Sequence, residues 1–355
     1  MTDEIPKTMK RLVVTAPGKD IASCKIEIEE LPVPEPGAGQ VLIKVVAAAI
    51  NPSDYGSWSR CTPEQCPFVM GKEGCGVIVK VGPGFMTSVA TALTCQVGTK
   101  VGFTGLKDNQ GTYSEYVVVD ALIGVWPMPA DFPIEDAASF FVNPYTAIAI
   151  LDTVKSEGSK AFVHTAAASQ LGQMIVKLAP EENIEVINVV RRDEQAEILK
   201  KLGAKHVIVT GSDEAKWKAE LQSKIKELDA KVAFDAIAGR MSGDLLDLIP
   251  PKGSVYIYGG LAGKVENVNP TDLIYQEKEL KGFFLTSWIK KGDPIRMMAR
   301  MMAAGKKVKA GLANGGWSST QFKDTAMEDV QADVVKLIES GATGVKLRVR
   351  FDSSV

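Results

Sequence analysis

The feature that most constrains this chain is a regular alternation of short apolar runs and amphipathic segments between Lys160 and Thr286. "KAFVHTA" has the pattern of a strand and "SQLGQMIVKLA" that of a helix. "EVINVV" follows as a strand and "DEQAEILKKLG" as a helix, closed by Gly203 as a C-terminal cap. The alternation continues through "HVIVT", "EAKWKAELQSKIKELD", "KVAFDAIAG", "GDLLDLIPPKG" and "SVYIYGG", with "KELKGFFLTS" as a final strand. Strands joined by helices pair in parallel, because each crossover returns the chain to the same end of the sheet. A doubly wound parallel sheet of Rossmann type follows.

The flanking regions differ. "RLVVTAP", "CKIEIEELPVP", "QVLIKVVAAAI", "GVIVKVG", "TKVGFTG" and "GTYSEYVVVD" are short strand patterns separated by Pro and Gly. They predict a barrel-like antiparallel domain. From Pro133, "PIEDAASFFVNPYTAIAILDTV" has helical spacing. The last stretch holds helices ("IRMMARMMAAG", "EDVQADVVKLIESG") and a strand, "GVKLRVRF", expected to rejoin the first domain. The fold class is therefore α/β with two domains. Residues 1–140 and 289–355 form the β-barrel catalytic domain, and residues 141–288 form the nucleotide-binding domain.

With 355 residues, 45% hydrophobic and 24% charged, the chain can build both cores. A formal net charge of -2 argues against nucleic acid and membrane surfaces as partners. No apolar run approaches the roughly 20 residues of a membrane helix. The acidic start "MTDEIPKTMKRLVV" and an odd count of five cysteines fit reduced thiols and a cytoplasmic protein.

"AFVHTAAASQLGQ" lies where a dinucleotide-binding turn would lie, but Ala166, Ala168 and Gly172 stand where three glycines are expected. Such a turn needs close backbone approach to a pyrophosphate, a helix N-terminus aimed at it and tight helix packing. Small residues at Ala166, Ala167, Ala168 and Gly172 meet the steric needs, and Ser169 can cap the helix or meet a phosphate. Ala168, Ser169, Gln170 and Leu171 are thus candidate cofactor contacts. An ordinary strand–turn–helix fits this stretch equally well. The next strand ends in Arg191 and Arg192, where NAD sites carry an acidic residue for the ribose hydroxyl. Guanidinium groups suit a 2′-phosphate, so NADPH is the expected cofactor.

Over nearly its full length the chain resembles the medium-chain dehydrogenase/reductase superfamily. "AAINPSDY" is similar to that family's N-P-x-D segment at the catalytic cleft, and "PFVMGKEGCGVIVKVG" to its G-x-E-x-x-G-x-V-x-x-V-G turn. "VNPYTA", "GFFLTSW" and "INVVRRDEQ…KKLGAKHVI" look most like the quinone oxidoreductase and 2-enoyl thioester reductase branches. The resemblance implies a GroES-like β domain beside the nucleotide domain, and a homodimer. It places Asn51, Lys72 and Asn143 at the positions of zinc ligands in the zinc-dependent members. None of these is a good ligand, so no metal is expected. Without a Lewis acid, acceptors that take hydride readily are favoured: quinones, or C=C bonds conjugated to a carbonyl.

Asn51 and Ser53 are candidate hydrogen-bond donors, and Tyr55 is a candidate proton donor. Each has a structural alternative: Asn51–Pro52 as a turn, Ser53 as a cap, Tyr55 as a packing residue. Enoyl thioester reductases carry their catalytic tyrosine further along, and no tyrosine lies between Gly56 and Thr112. By resemblance, Asn143 and Thr146 face the cofactor. Tyr258, Gly259 and Gly260 end a strand at the ligand edge of the sheet. Phe284, Leu285 and Thr286 offer backbone to the carboxamide, and Lys346 lies near the cofactor. His164 and His206 are read as structural.

The activity this implies is a zinc-independent NADPH-dependent oxidoreductase acting on a small molecule, a quinone or an α,β-unsaturated carbonyl. The alternatives are a trans-2-enoyl-CoA or acyl-carrier-protein reductase, and an NADPH-binding protein without turnover.

Overall fold

The computed structural model describes residues 4–84, 95–105, 111–341 and 343–351. Much of the region between Gly82 and Thr112, searched above for a cysteine lobe, therefore lies outside the described residues; Cys95 lies within them. Two compact units emerge, one running to Val142 and resuming at Gly305, the other comprising Asn143–Ala304.

The first unit opens with β1 (Thr8–Ala16) and β2 (Lys25–Pro32), an antiparallel pair. Next come β3 (Gln40–Ala49), helix α1 (Pro52–Trp58), β4 (Phe68–Val69), β5 (Glu73–Val81), β6 (Lys100–Thr104), β7 (Tyr116–Asp120) and β8 (Val125–Pro127). β3 carries the domain. β5 lies along one edge, while β7 pairs with its first half on the other. A return strand near the C-terminus takes its second half, through Ala47–Ala49. A strand shared in this way bends the sheet around one core, here Leu12, Ile43, Trp58, Phe103, Tyr113 and Val349.

The second unit begins with α2 (Val142–Ser156), whose first residue belongs to the first unit. Then β9 (Ala161–His164), α3 (Gln170–Leu178), β10 (Glu185–Val190), α4 (Asp193–Lys201), β11 (His206–Val209), α5 (Glu214–Glu227), β12 (Val232–Asp235), α6 (Arg240–Leu248) and β13 (Ser254–Ile257) alternate. They are followed by α7 (Pro270–Tyr275), β14 (Glu279–Gly282), α8 (Leu285–Lys290) and α9 (Pro294–Leu312). Among the described residues the sheet has six strands in the order β11-β10-β9-β12-β13-β14, with every described pairing parallel. Strand order reverses between β9 and β12, so the crevice that such sheets offer to ligands opens beyond His164 and Asp235. Finally β15 (Phe322–Thr325), α10 (Val330–Ser340) and β16 (Lys346–Arg350) complete the first unit.

The chain pattern predicts these elements closely, with three local differences. The final strand stops at Gly282, and Phe284 caps a helix that begins at Leu285. The Arg300 guanidinium stops that helix by bonding the carbonyls of Trp288, Ile289 and Lys291. The helix read from Pro133 is split: a 3-10 segment, Ile134–Ser139, precedes α2. The amides of Phe141 and Val142 donate to the Glu73 carboxylate. The boundary that ends the second unit falls at Ala304, inside α9, rather than near Trp288. No helix among the described residues is long and apolar enough to cross a membrane.

Candidate active site

In the first unit, polar side chains from four separate segments meet around Glu73, which is fully buried at the start of β5. Its carboxylate accepts the amides of Phe141 and Val142 at 2.8 Å each, and Asn51 Nδ2 donates to it at 2.9 Å. Lys346, at the start of β16, reaches the same cluster. Its Nζ donates to Asn51 Oδ1 at 2.5 Å and to Ser139 Oγ at 3.0 Å, and lies 3.6 Å from Glu73. Burial pulls the Lys346 ammonium below the ordinary lysine range, opposed by the neighbouring carboxylates. A buried ion pair is stable only when its spare donors and acceptors are met, and here hydroxyl, amide and backbone groups meet them.

Asn51 also starts α1, and its backbone N–H donates to Asp54 Oδ2 at 2.7 Å. Asp54 is buried, with the Tyr113 hydroxyl 3.2 Å from the same oxygen. Desolvation pushes the Asp54 carboxyl above its usual range, partly offset by the Lys72 charge.

These contacts redefine three expected donors. Asn51 is only 1% exposed, with its oxygen and one N–H committed to Lys346 and Glu73, so it holds the cluster together. Ser53 is exposed, and what it contributes is its carbonyl, which accepts the Lys72 ammonium. Tyr55 leans edge-on against Trp58 with ring centroids 6.3 Å apart, packed on the core. Burial pushes its phenol up to about 12. Glu73, Ser139, Asp54 and Tyr113 were not expected as members. Glu73 and Asp54 had visible signals, as the acidic residues of the G-x-E turn and of the N-P-x-D segment; Ser139 and Tyr113 had none.

In the second unit, the loop between β9 and α3 is shaped by contact. Ser169 caps the helix, its Oγ accepting the Gly172 amide at 3.2 Å. A Cβ on Gly172 would stand 2.0 Å from the Ala167 carbonyl oxygen, so only glycine lets α3 pack there. With Gly172 as the close-packing glycine, the first two positions of a G-x-G-x-x-G turn fall on Ala167 and Ser169, not on Ala166 and Ala168. Ala166 nonetheless has the left-handed backbone that glycine favours, with φ 49°. Ala168 precedes the helix, Ser169 caps it, and Gln170 and Leu171 open its first turn, where backbone N–H groups suit an anion.

Beyond β10, Arg191 and Arg192 are exposed, and Gln195 Oε1 accepts both of their backbone amides at 3.0 and 3.3 Å. No acidic side chain ends that strand. Gly259 and Gly260 follow β13, and Gly260 is exposed. The residues present thus fit a dinucleotide with a 2′-phosphate: a small-residue turn, a helix N-terminus and two guanidinium groups.

Other expected contacts sort by burial. Thr146 is 9% exposed and Asn143 is half-buried, both in the first turn of α2. Tyr145 between them is fully buried and donates to the Met301 carbonyl at 3.0 Å. Tyr258 stacks on the fully buried His164, its hydroxyl 2.7 Å from Nε2. Burial holds that imidazole down at about 3 and pushes the Tyr258 phenol up, so both stay neutral. His206 lies beside Glu185 on adjacent strands. Phe284 is 66% exposed; Leu285 and Thr286 open α8 as helix rather than strand.

A parallel nucleotide-type sheet in one unit and a curled β domain in the other define the architecture of two-domain dehydrogenases and reductases. Residues 37–130 match the alcohol dehydrogenase GroES-like domain, and residues 171–303 match the zinc-binding dehydrogenase domain. The mitochondrial enoyl-[acyl-carrier-protein] reductase of Bos taurus is 31% identical over 283 residues, 76% of this chain and 71% of that one. Prostaglandin reductase-3 of Mus musculus is 30% identical over 300 residues, covering 81% and 75%. A solved structure from Mesorhizobium loti, assigned as an NADPH:quinone reductase, is 32% identical with a TM-score of 0.82, covering 98% of this chain and 100% of that one. The chain belongs to the medium-chain dehydrogenase/reductase superfamily, in its zinc-independent quinone and enoyl reductase branch. The segment matching the zinc-binding model contains no cysteine and one histidine, His206.

Two outcomes follow from this geometry. Ala166→Gly relieves a left-handed alanine, worth about 1–2 kcal/mol, against roughly 0.5–1 kcal/mol of added chain entropy. The denaturation midpoint of the variant should therefore hold or rise. The second concerns His164, which binds a proton near pH 6.5 when unfolded but only near 3 when folded. Its contribution is complete above pH 6.5 and is lost as pH falls towards 3. Urea midpoints measured across that window should fall less steeply in His164→Gln than in the parent.

Proposed function

We propose that the protein is an NADPH-dependent, zinc-independent reductase that delivers hydride to a quinone or to the β-carbon of an α,β-unsaturated carbonyl compound. One observation carries this: the second unit ends β10 with two exposed arginines and no carboxylate. The names of the relatives support a reductase, since they are an enoyl-[acyl-carrier-protein] reductase, a prostaglandin reductase and an NADPH:quinone reductase.

When bound, NADPH would supply the hydride. Arg191 and Arg192 would hold its 2′-phosphate, and the amides of the Ala168–Leu171 turn would meet its pyrophosphate. Asn143, Thr146, Gly259, Gly260 and the backbone of Phe284–Thr286 would orient the remainder, with Tyr258 fixed in place by His164. Within the first unit, Lys346 is held by Asn51 and Glu73. A trans-2-enoyl thioester reductase is the second reading, favoured by the 31% identity to the Bos taurus enzyme. The packed position of Tyr55, the nearest tyrosine to the expected acid, weighs against it.

The same reading extends to assembly and location. β14 is the last strand of its sheet, and Leu273, Ile274, Tyr275 and Phe284 beside it are 39–79% exposed. An open edge with apolar neighbours suits pairing with a second copy, hence a homodimer. All five cysteines are free thiols, consistent with a cytoplasmic setting.

The test is NADPH and NADH oxidation against quinones, enones and enoyl-CoA esters. Tight NADPH binding without oxidation by any acceptor would overturn the enzyme reading, and turnover confined to enoyl-CoA would select the second. In the double variant Arg191→Ala/Arg192→Ala, the KM for NADPH should rise roughly 10–100-fold while that for NADH changes little.

A further inference from the structure

We propose that Lys72 is a catalytic residue, its ammonium forming the hydrogen bond that takes up negative charge on the acceptor's carbonyl oxygen. This rests on the reductase reading above, and it identifies a donor that Asn51 and Tyr55 do not supply.

The backbone at Lys72 is fixed from both sides. Gly71 before it has φ 93°, and a Cβ there would stand 2.4 Å from Thr112 Oγ1 and 2.5 Å from the Tyr113 ring. The Lys72 carbonyl accepts both the Gly105 amide at 3.0 Å and the Thr104 hydroxyl at 2.9 Å. The side chain is fixed as well. Nζ donates to the Ser53 carbonyl at 2.5 Å and lies 3.7 Å from Asp54 Oδ1. That oxygen is buried with no hydrogen-bond partner, so its field falls on the ammonium. Yet the Lys72 side chain keeps 42% of its surface, whereas Lys346, the other cation nearby, is 5% exposed. An ammonium has three donors, and one is taken by Ser53. Lys72 is thus a pre-oriented, partly exposed cation with donor capacity beyond its bond to Ser53, which is what stabilises an oxyanion without reorganisation.

The electron balance is simple. As hydride adds to the β-carbon, the C=C π pair shifts and the C=O becomes an enolate C–O⁻. Lys72 donates a hydrogen bond to that oxygen and keeps its proton. The α-carbon then takes a proton from water and the C=O re-forms. The acceptor gains two electrons and the nicotinamide loses two. A quinone places its charge on the same kind of oxygen.

Lys72→Met removes the charge at similar length. Loss of one such donor costs about 10²–10³-fold in kcat with little change in KM, and Lys72→Arg should recover most of it. A second readout needs no cofactor: the pKa of bound 4-nitrophenol, followed by phenolate absorbance. An opposite charge nearby lowers a pKa by roughly 1–3 units, so the parent protein should bind the phenolate in preference to the phenol, and Lys72→Met should abolish that preference. If Lys72→Met folds poorly because Asp54 is left unpaired, Asp54→Asn/Lys72→Met carries both measurements. A kcat within threefold of the parent, or no phenolate preference in the parent, overturns the assignment. If no acceptor is reduced at all, the reductase reading falls by itself, and the phenolate titration still decides whether Lys72 stabilises an oxyanion.

Discussion

The Glu73 carboxylate is the interaction on which the first unit depends. Fully buried, it draws in two backbone amides, an asparagine amide and a lysine ammonium from segments far apart in the chain. Removing any one partner would leave charge or donors stranded in a low-dielectric interior, where an unmet group costs far more than the bond is worth. The cluster therefore fixes together the end of β3 with α1, the start of β5, the 3-10 segment before α2, and β16. It also explains why the helix read from Pro133 breaks: its amides serve the carboxylate.

The nucleotide unit rests on sterics more than on charge. Gly172 is the one turn residue that contact leaves no freedom to vary, with the Ala167 carbonyl beneath it. The other glycines of the familiar turn are dispensable because alanine and serine are still small. Ser169 adds a cap that glycine would lack, while Ala166 accepts a backbone conformation costly for a residue with a Cβ.

Much of this was legible in the chain. Period and punctuation located β9 to β13 and the helices between them, because both faces of a parallel sheet demand apolar runs. That β10 ends in Arg191 and Arg192 rather than in a carboxylate is read directly from the chain, and their role toward the cofactor belongs to the proposed function. What stayed hidden depended on partners distant in sequence. Asn51 looked like a donor to substrate, and only the arrival of Lys346, 295 positions later, shows its oxygen already taken. Phe284 to Thr286 follow an apolar run and have strand-forming character, and only Arg300 shows where the helix ends. Lys72 looked merely like a poor metal ligand. Its use became visible once Ser53 and Asp54 were seen to aim it.

Exposure of the arginine pair has a consequence for how firmly cofactor choice is held. Gln195 secures their backbones, but both side chains stand in solvent, at the outer end of β10. Charges in water attract a phosphate through a screened field whose reach shrinks to roughly 8 Å at physiological ionic strength and to about 3 Å in molar salt. In the proposed reading, the contacts shared by both nicotinamide dinucleotides come from the backbone of the turn and its helix and scarcely feel salt. Preference between the two cofactors is then the soft component of binding: concentrated electrolyte would erode it while leaving the shared affinity largely in place.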